Sequence, residues 1–364
     1  MVFEYFVRDW WQYIAAFFLV MLLILCLTPA AKKAGLVDQP SLRKPQILAI
    51  PLVGGIAIFI AFSLSLLLFE ISLQQYRLFM FSAGLLVIIG VLDDYIDIPP
   101  FVKFVGQGLV AIVLVVDGTV VGSIGAIFGA NSTLFLPTEI AFFFSVIAIV
   151  GLVNAFNMLD GLDGLAAGVG LVATTSLLFL YLTSGRSLVA EDVVLLLLFS
   201  VCVAGFLPFN FPAVVGSNRQ IFLGDAGSML LGLMVAYISI SWSQPDQLGE
   251  SRFSPTVAPW LVAVPIMDMV RVIGSRLYRR KPVFQARRDH IHHVLLNRGY
   301  KALTVLTILL GLQLTLAVAA LLVNARNTGD PILFWGMFPV FIGFVLATAI
   351  LSSANPKDEE GIPG

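Results

Sequence analysis

The chain is short of charge, of cysteine and of histidine. Only 12% of its 364 residues are Asp, Glu, Lys or Arg, against 59% hydrophobic, and its mean hydropathy is +0.97. A water-soluble domain of this length has no use for so much apolar surface, which leaves a polytopic membrane protein. The two cysteines, Cys26 and Cys202, both lie in apolar runs, which excludes a disulfide framework and a thiolate metal site. A net charge of −1 argues nothing about nucleic acid, and no nucleic-acid partner is expected. The first apolar run has no basic flank before it and no small-residue cleavage site after it. It reads as a span anchored by Trp10 and Trp11, not as a cleaved signal.

What the chain has instead is apolar runs. Eleven can be marked, at 11–31, 52–69, 78–92, 101–116, 137–153, 164–183, 189–207, 229–242, 257–275, 303–323 and 332–352. Most approach the ~20 residues a helix needs to cross the hydrocarbon core, and a few are short. The expected fold is all-α, one membrane-embedded domain over 1–364 with about eleven transmembrane helices. Its working loops are expected at 32–51, 93–100, 154–163, 208–228 and 276–302.

Charge decides which loops share a side. Five of the 21 lysines and arginines (Arg8, Arg77, Arg186, Arg252, Arg326) fall in one alternate set of loops, and the remaining 21 − 5 = 16 in the other. That bias puts the second set, with the C-terminal tail, in the cytoplasm and the N-terminus outside. Every polar cluster then falls on the cytoplasmic side. A miscounted span would have scattered them.

The most polar of these clusters is Asn154-Ala-Phe-Asn-Met-Leu-Asp-Gly-Leu-Asp163, set between Phe142–Val153 and Val169–Leu182, neither of which holds a charge. Polar groups at a membrane boundary have lost hydration and need a partner. Three-residue spacing on a continuous helix spreads Asn154, Asn157, Asp160 and Asp163 over half the circumference, so a break at Gly161 and Gly164 is needed to bring them together. Turns alone explain Asp-Gly-Leu-Asp-Gly but not the two asparagines. Asp93 and Asp94 close an apolar run, where a helix dipole disfavours anions, so they are expected to face a cation. Asp97, ahead of Pro99-Pro100, reads equally well as a local cap before the next helix.

Phe222-Leu-Gly-Asp-Ala-Gly-Ser228 precedes another span. Asp225 or Ser228 could cap that helix, or the small residues could seat a phosphate at its N-terminus with Asp225 on a bridging metal. Asp268 and Arg271 are three apart, the spacing of an intrahelical ion pair as much as of a binding pair. All three histidines, His290, His292 and His293, sit in one motif after Arg287-Arg288. That spacing is wrong for a zinc protease helix, and histidines beside arginines suit diphosphate contact or proton transfer better. Lys32–Lys44 reads as a topology determinant, with Lys44 within reach of an anionic ligand.

In this order the motifs closely resemble the polyprenyl-phosphate N-acetylhexosamine-1-phosphate transferases. The likeness covers nearly the whole chain. His290-Ile-His-His293 and Pro265-Ile-Met-Asp-Met269 look like the branch that makes undecaprenyl-diphospho-N-acetylglucosamine. The branch using UDP-N-acetylmuramoyl-pentapeptide has another histidine motif and ten spans. Gln285-Ala-Arg-Arg-Asp289 departs from the usual Pro-Asp-Arg-Gln, which leaves the sugar contact to either Arg287 or Arg288.

The resemblance implies a reaction at the cytoplasmic face of a bacterial inner membrane. The phosphate of undecaprenyl phosphate attacks the sugar-linked phosphorus of UDP-GlcNAc and UMP leaves, the first membrane step of O-antigen, common-antigen or related polysaccharide synthesis. It further implies Mg²⁺ (or Mn²⁺) on Asp225, and Asp93, Asp94, Asp160, Asp163 and the three histidines as catalytic groups. Lys44, Asp97, Asn154, Asn157, Phe222, Asp268, Arg271, Arg287 and Arg288 are implied as substrate contacts, Phe222 stacking on uracil. A homodimer is compatible with the sequence.

Two rivals belong to other classes. A secondary transporter predicts acids near the bilayer midplane and access from both sides, whereas these cluster at span ends on one face. A CDP-alcohol phosphotransferase would open on Asp160-Gly-Leu-Asp-Gly-Leu-Ala-Ala, but Gly168 stands where its arginine belongs and its two downstream aspartates are missing.

Overall fold

The computed structural model describes residues 2–39, 49–129, 132–216, 219–245, 251–280, 282, 289–326 and 329–353. Lys44, Arg287 and Arg288 lie outside the described residues, as do parts of the expected loops 32–51 and 276–302. Each of the eleven apolar stretches contains a helix. They are α1 (Val2–Ala34), α2 (Gly54–Leu66), α3 (Arg77–Ile96), α4 (Pro100–Val116), α5 (Thr138–Leu159), α6 (Leu165–Thr183), α7 (Ala190–Asn210), α9 (Gly224–Ser243), α10 (Ala263–Tyr278), α12 (Ala302–Asn324) and α13 (Asp330–Ser353). Two short helices stand between them, α8 (Pro212–Val215) and α11 (Ile291–Asn297). Among the described residues nine helices are long and apolar enough to cross a bilayer, α10 counting with the 3₁₀ turn before it. The other two, α2 and α4, have 13 and 17 residues. The fold is an all-α polytopic membrane bundle.

α9 is its axis. In its membrane-length window 94% of residues are buried, and α2, α3, α5 and α6 all pack on it. Without a hydrophobic force between helices in lipid, such closeness rests on small residues that let backbones meet. A Cβ on Gly55 would come within 2.1 Å of the Gly227 nitrogen, and one on Gly90 within 2.3 Å of the Ala226 Cα. Side chains at these positions would push α2 and α3 off the axis. α13, by contrast, has 11% of its window buried and shows its apolar sides to the surroundings.

The polar groups gather at one end of this bundle. There α3 and α5 finish, and α4, α6 and α9 begin. A two-residue strand pair, Val37–Asp38 with Ile50–Pro51, lies beside them, and Phe222 donates its N–H to the Pro51 carbonyl at 3.0 Å. At the opposite end Asp192 accepts from the hydroxyls of Tyr76 (2.5 Å) and Tyr181 (2.6 Å). Both its oxygens are engaged by residues that tie helices together.

Candidate active site

The site is built on a pair of charges that each helix alone would reject. Asp93 stands in the last turn of α3 and Lys103 in the first turn of α4, both against their helix dipoles. Each is held by the other: the Lys103 ammonium donates to Asp93 Oδ2 at 2.7 Å, to Asn157 Oδ1 at 3.0 Å and to Asp225 Oδ2. One lysine thus joins α3, α4, α5 and α9. The expected cation facing Asp93 is this side chain. Lys103 belongs to no motif, and its place in a helix's first turn is the sequence signal that marks it.

Asp94 points elsewhere. Its carboxylate accepts from the backbone N–H of Asp225 at 3.0 Å and of Ala226 at 3.5 Å. It caps α9 from another helix, which offers no side-chain cap of its own. Two of the N–H groups of Gly224–Ser228 thus hold a carboxylate in this structure. The cap also places Asp225 beside the carboxylates of α3. Gly224 is held in the left-handed region (φ 73°), with the Asp94 carboxylate where a side chain would go.

Asp97 is a local cap, of α3 and not of α4. It sits at φ 51° and closes α3, its N–H on the Asp93 carbonyl at 2.9 Å, while Pro99 starts α4. The residue finishes one helix instead of opening the next, and its side chain is exposed.

The polar stretch breaks where the glycines suggested. α5 runs on to Leu159, six residues past the apolar run, and α6 restarts at Leu165 after Gly164 at φ 76°. The four polar residues do not form one group, however. Asn157 joins Lys103 and donates to Ser228 Oγ at 3.0 Å, whereas Asn154 turns to Gln107 Oε1 at 2.6 Å and the Val150 carbonyl at 2.8 Å. Asp163 accepts from Gln220 at 2.9 Å. Asn210, at the end of α7, accepts from the Gly164 N–H at 2.5 Å and donates to the Ile221 carbonyl at 3.0 Å, tying this loop to the segment before α9. Lone polar residues such as Asn210 and Gln220 carried no sequence signal.

Burial, and then the neighbouring charges of Asp225, Asp94 and Asp163, push the Asp160 carboxyl well above the usual carboxylate range. Burial raises Asp163 from 3.8 to about 6, with the Gln220 hydrogen bond opposing. A raised folded pKa means the folded state holds the proton more tightly. Asp163 therefore contributes stability below its ordinary pKa that is lost as pH rises from about 4 through about 6. In chelator, the apparent Tm of Asp163→Asn should fall less over that window than that of the parent. Parallel curves would contradict the assignment.

Asp268 organises the histidine motif. It takes the Arg271 guanidinium at 2.7 Å, the Ile291 N–H at 2.9 Å and His290 Nδ1 at 2.8 Å. Arg271 also reaches the Asp289 carbonyl at 2.5 Å, and Arg276 holds the Asp289 carboxylate at 2.7 and 3.0 Å. The intrahelical ion pair expected of Asp268 and Arg271 is present, and it is part of a clamp that seats α11 on α10. His292, 1% exposed, lies against Gly161, where a Cβ would stand 2.3 Å from Nε2. Burial and then His293 and His290 drive its pKa down to about 3, so it is neutral. His293 lies beside it with ring centroids 4.2 Å apart. The motif thus meets the Asp160–Asp163 loop through a neutral imidazole.

Residues 76–243, which hold the lysine–carboxylate cluster and its loop, match the profile of Glycosyl transferase family 4. The chain is also 32% identical over 314 residues to the undecaprenyl-phosphate alpha-N-acetylglucosaminyl 1-phosphate transferase of Escherichia coli K12, covering 84% of this chain and 82% of that one. It belongs to glycosyl transferase family 4. Two further relatives agree with that assignment. The protein of the same name from Yersinia pestis is 33% identical over 86% of this chain and 82% of its own. A Bacillus subtilis protein described as a probable undecaprenyl-phosphate N-acetylglucosaminyl 1-phosphate transferase is 31% identical over 96% and 94%. The family profile begins at Tyr76 and ends at Ser243, so the histidine motif lies beyond it while the longer pairwise matches extend further.

Proposed function

We propose that this chain transfers N-acetylglucosamine 1-phosphate from UDP-GlcNAc to undecaprenyl phosphate, forming undecaprenyl-diphospho-GlcNAc and UMP. The observation that carries the reading is the convergence of Asp93, Lys103, Asn157 and Asp225 at one end of the bundle, in a relative of enzymes so named. One phosphoanhydride forms as another breaks, so no further energy source is needed. The lipid phosphate has a second pKa near ~6 and is mostly dianionic at neutral pH. Its proton is not the obstacle; its negative charge is. Lys103 places an ammonium among the carboxylates where two phosphate groups have to meet.

The donor set suits a hard cation. Among the described residues no three acidic, histidine or cysteine groups enclose an ion unaided. Mg²⁺ is ordinarily held by one or two carboxylates and completed by substrate phosphates, and Asp225 with Asp93 fits that pattern. The ion would supply charge neutralisation to the diphosphate. Asp160 and Asp163 then face the nucleotide side. Phe222 is half-buried, with its backbone bonded to Pro51 and Gly54, and is the residue assigned to stack on the base.

Purified protein given UDP-GlcNAc and undecaprenyl phosphate should release UMP only when both are present, and UDP-N-acetylmuramoyl-pentapeptide should not replace the donor. No UMP from the complete mixture with Mg²⁺ would defeat the reading. The charge bias supports a cytoplasmic setting for this end of the bundle. Cysteines introduced at Ser251 and Lys301, with Cys26 and Cys202 replaced, should label from opposite sides of the membrane with an impermeant thiol reagent. Labelling from one side would overturn that orientation.

A further inference from the structure

Three oxygens from three helices surround the Lys103 ammonium: Asp93 Oδ2 at 2.7 Å, Asn157 Oδ1 at 3.0 Å and Asp225 Oδ2. Two carboxylates and a carboxamide are what a hard divalent ion would choose. We propose that Lys103 is a resident counter-cation, occupying in the substrate-free protein the place a divalent ion takes during turnover, so that metal enters by displacing it. The inference rests on the metal reading above and adds a competitor to it.

The side chain of Asp93 is 13% exposed and that of Asp225 33%, so water screens Asp225 in part and Asp93 poorly, and the pair needs a cation between them. Lys103 lies in the first turn of α4, which holds no acidic residue to balance it against the dipole, so these oxygens alone keep it there. A single positive charge leaves Asp93 and Asp225 one negative charge in excess, with Asp94 and Asp160 close by. A divalent ion cancels what the ammonium leaves. The exchange also needs no backbone movement, since lysine swings on a flexible four-carbon stem.

The alternative is that Lys103 is a staple joining four helices and nothing more. The two readings predict opposite signs. If Lys103 is a staple, removing it lets the carboxylates spread and metal binding weakens. If it is a competitor, removing it empties the seat and metal binding tightens.

Mn²⁺ binding to the full-length protein in nanodiscs, without substrates, can be read from the free-ion EPR signal. Lys103→Met should bind Mn²⁺ more tightly than the parent by on the order of tenfold, because an adjacent positive charge is gone. Its apparent Tm should drop in chelator and recover with Mn²⁺. Lys103→Arg keeps the charge in a fork that pairs with carboxylates more firmly, so it should bind Mn²⁺ more weakly than the parent. Equal or weaker binding by Lys103→Met overturns the proposal. If that variant does not fold, Lys103→Arg decides, and equal or tighter binding overturns it. Asp225→Asn checks the metal reading separately. If it binds Mn²⁺ as the parent does, the ion lies elsewhere and both readings fall. If it loses the site while Lys103→Met shows no tightening, only the displacement fails.

Discussion

Asp225→Asn should lower turnover by about a thousandfold at saturating Mg²⁺ while the protein still folds, the scale expected when a charge aimed at a reacting phosphate is removed. The carboxylate stands at the start of α9, where the dipole favours an anion, and it shares Lys103 with Asp93. An asparagine there has the same shape and still accepts from the ammonium, so packing around α9 is untouched. What goes is the charge. UMP release measured alongside thermal unfolding separates the two effects. Near-normal turnover in a well-folded variant would take Asp225 out of the chemistry.

Asp94 should divide according to what replaces it. Its two oxygens serve the first N–H groups of α9, so Asp94→Leu leaves buried donors without a partner, a loss of about 1–3 kcal/mol. It should also misplace Asp225 and abolish turnover. Asp94→Asn keeps one acceptor for the same donors. It should retain measurable activity that rises with pH through ~6, as the lipid phosphate sheds its second proton. The expectation separates a cap from a general base, because an obligatory base cannot be replaced by a carboxamide at any pH. Flat, inactive profiles for both Asp93→Asn and Asp94→Asn would favour the base.

Much of this architecture was legible because lipid leaves few choices. A spanning segment must satisfy its backbone within itself and present apolar side chains, and all eleven runs marked in the sequence contain helices. Their ends were less legible where polarity and helicity part company. α9 begins at Gly224, five residues before its apolar run, because Gly-Asp-Ala-Gly-Ser is small, not apolar, and its cap arrives from Asp94, 131 positions away. No local pattern announces such a cap. The chemistry followed the same rule. Adjacent Asp93 and Asp94 read as a matched pair, yet one faces Lys103 and the other α9. Lys103 is one of 21 basic residues and belongs to none of the motifs. Its misfit with the α4 dipole mirrored that of Asp93, and the two together pointed to a pairing that neither suggested alone.

The glycine contacts around α9 bear on how the machine can move. With backbone against backbone at Gly55–Gly227 and Gly90–Ala226, the axis has no slack to slide or rotate against α2 and α3. Asp225 therefore stands on a fixed post. The opposing jaw, α11 with its histidines, is fastened to α10 by Asp268, Arg271 and Arg276 through side chains rather than interlocked main chains. Opening for substrate and closing over it should fall to that jaw and to the Asp160–Gly164 loop it touches. Hydrogen exchange would then be slower along α9 than in α11 and the Asp160–Gly164 loop.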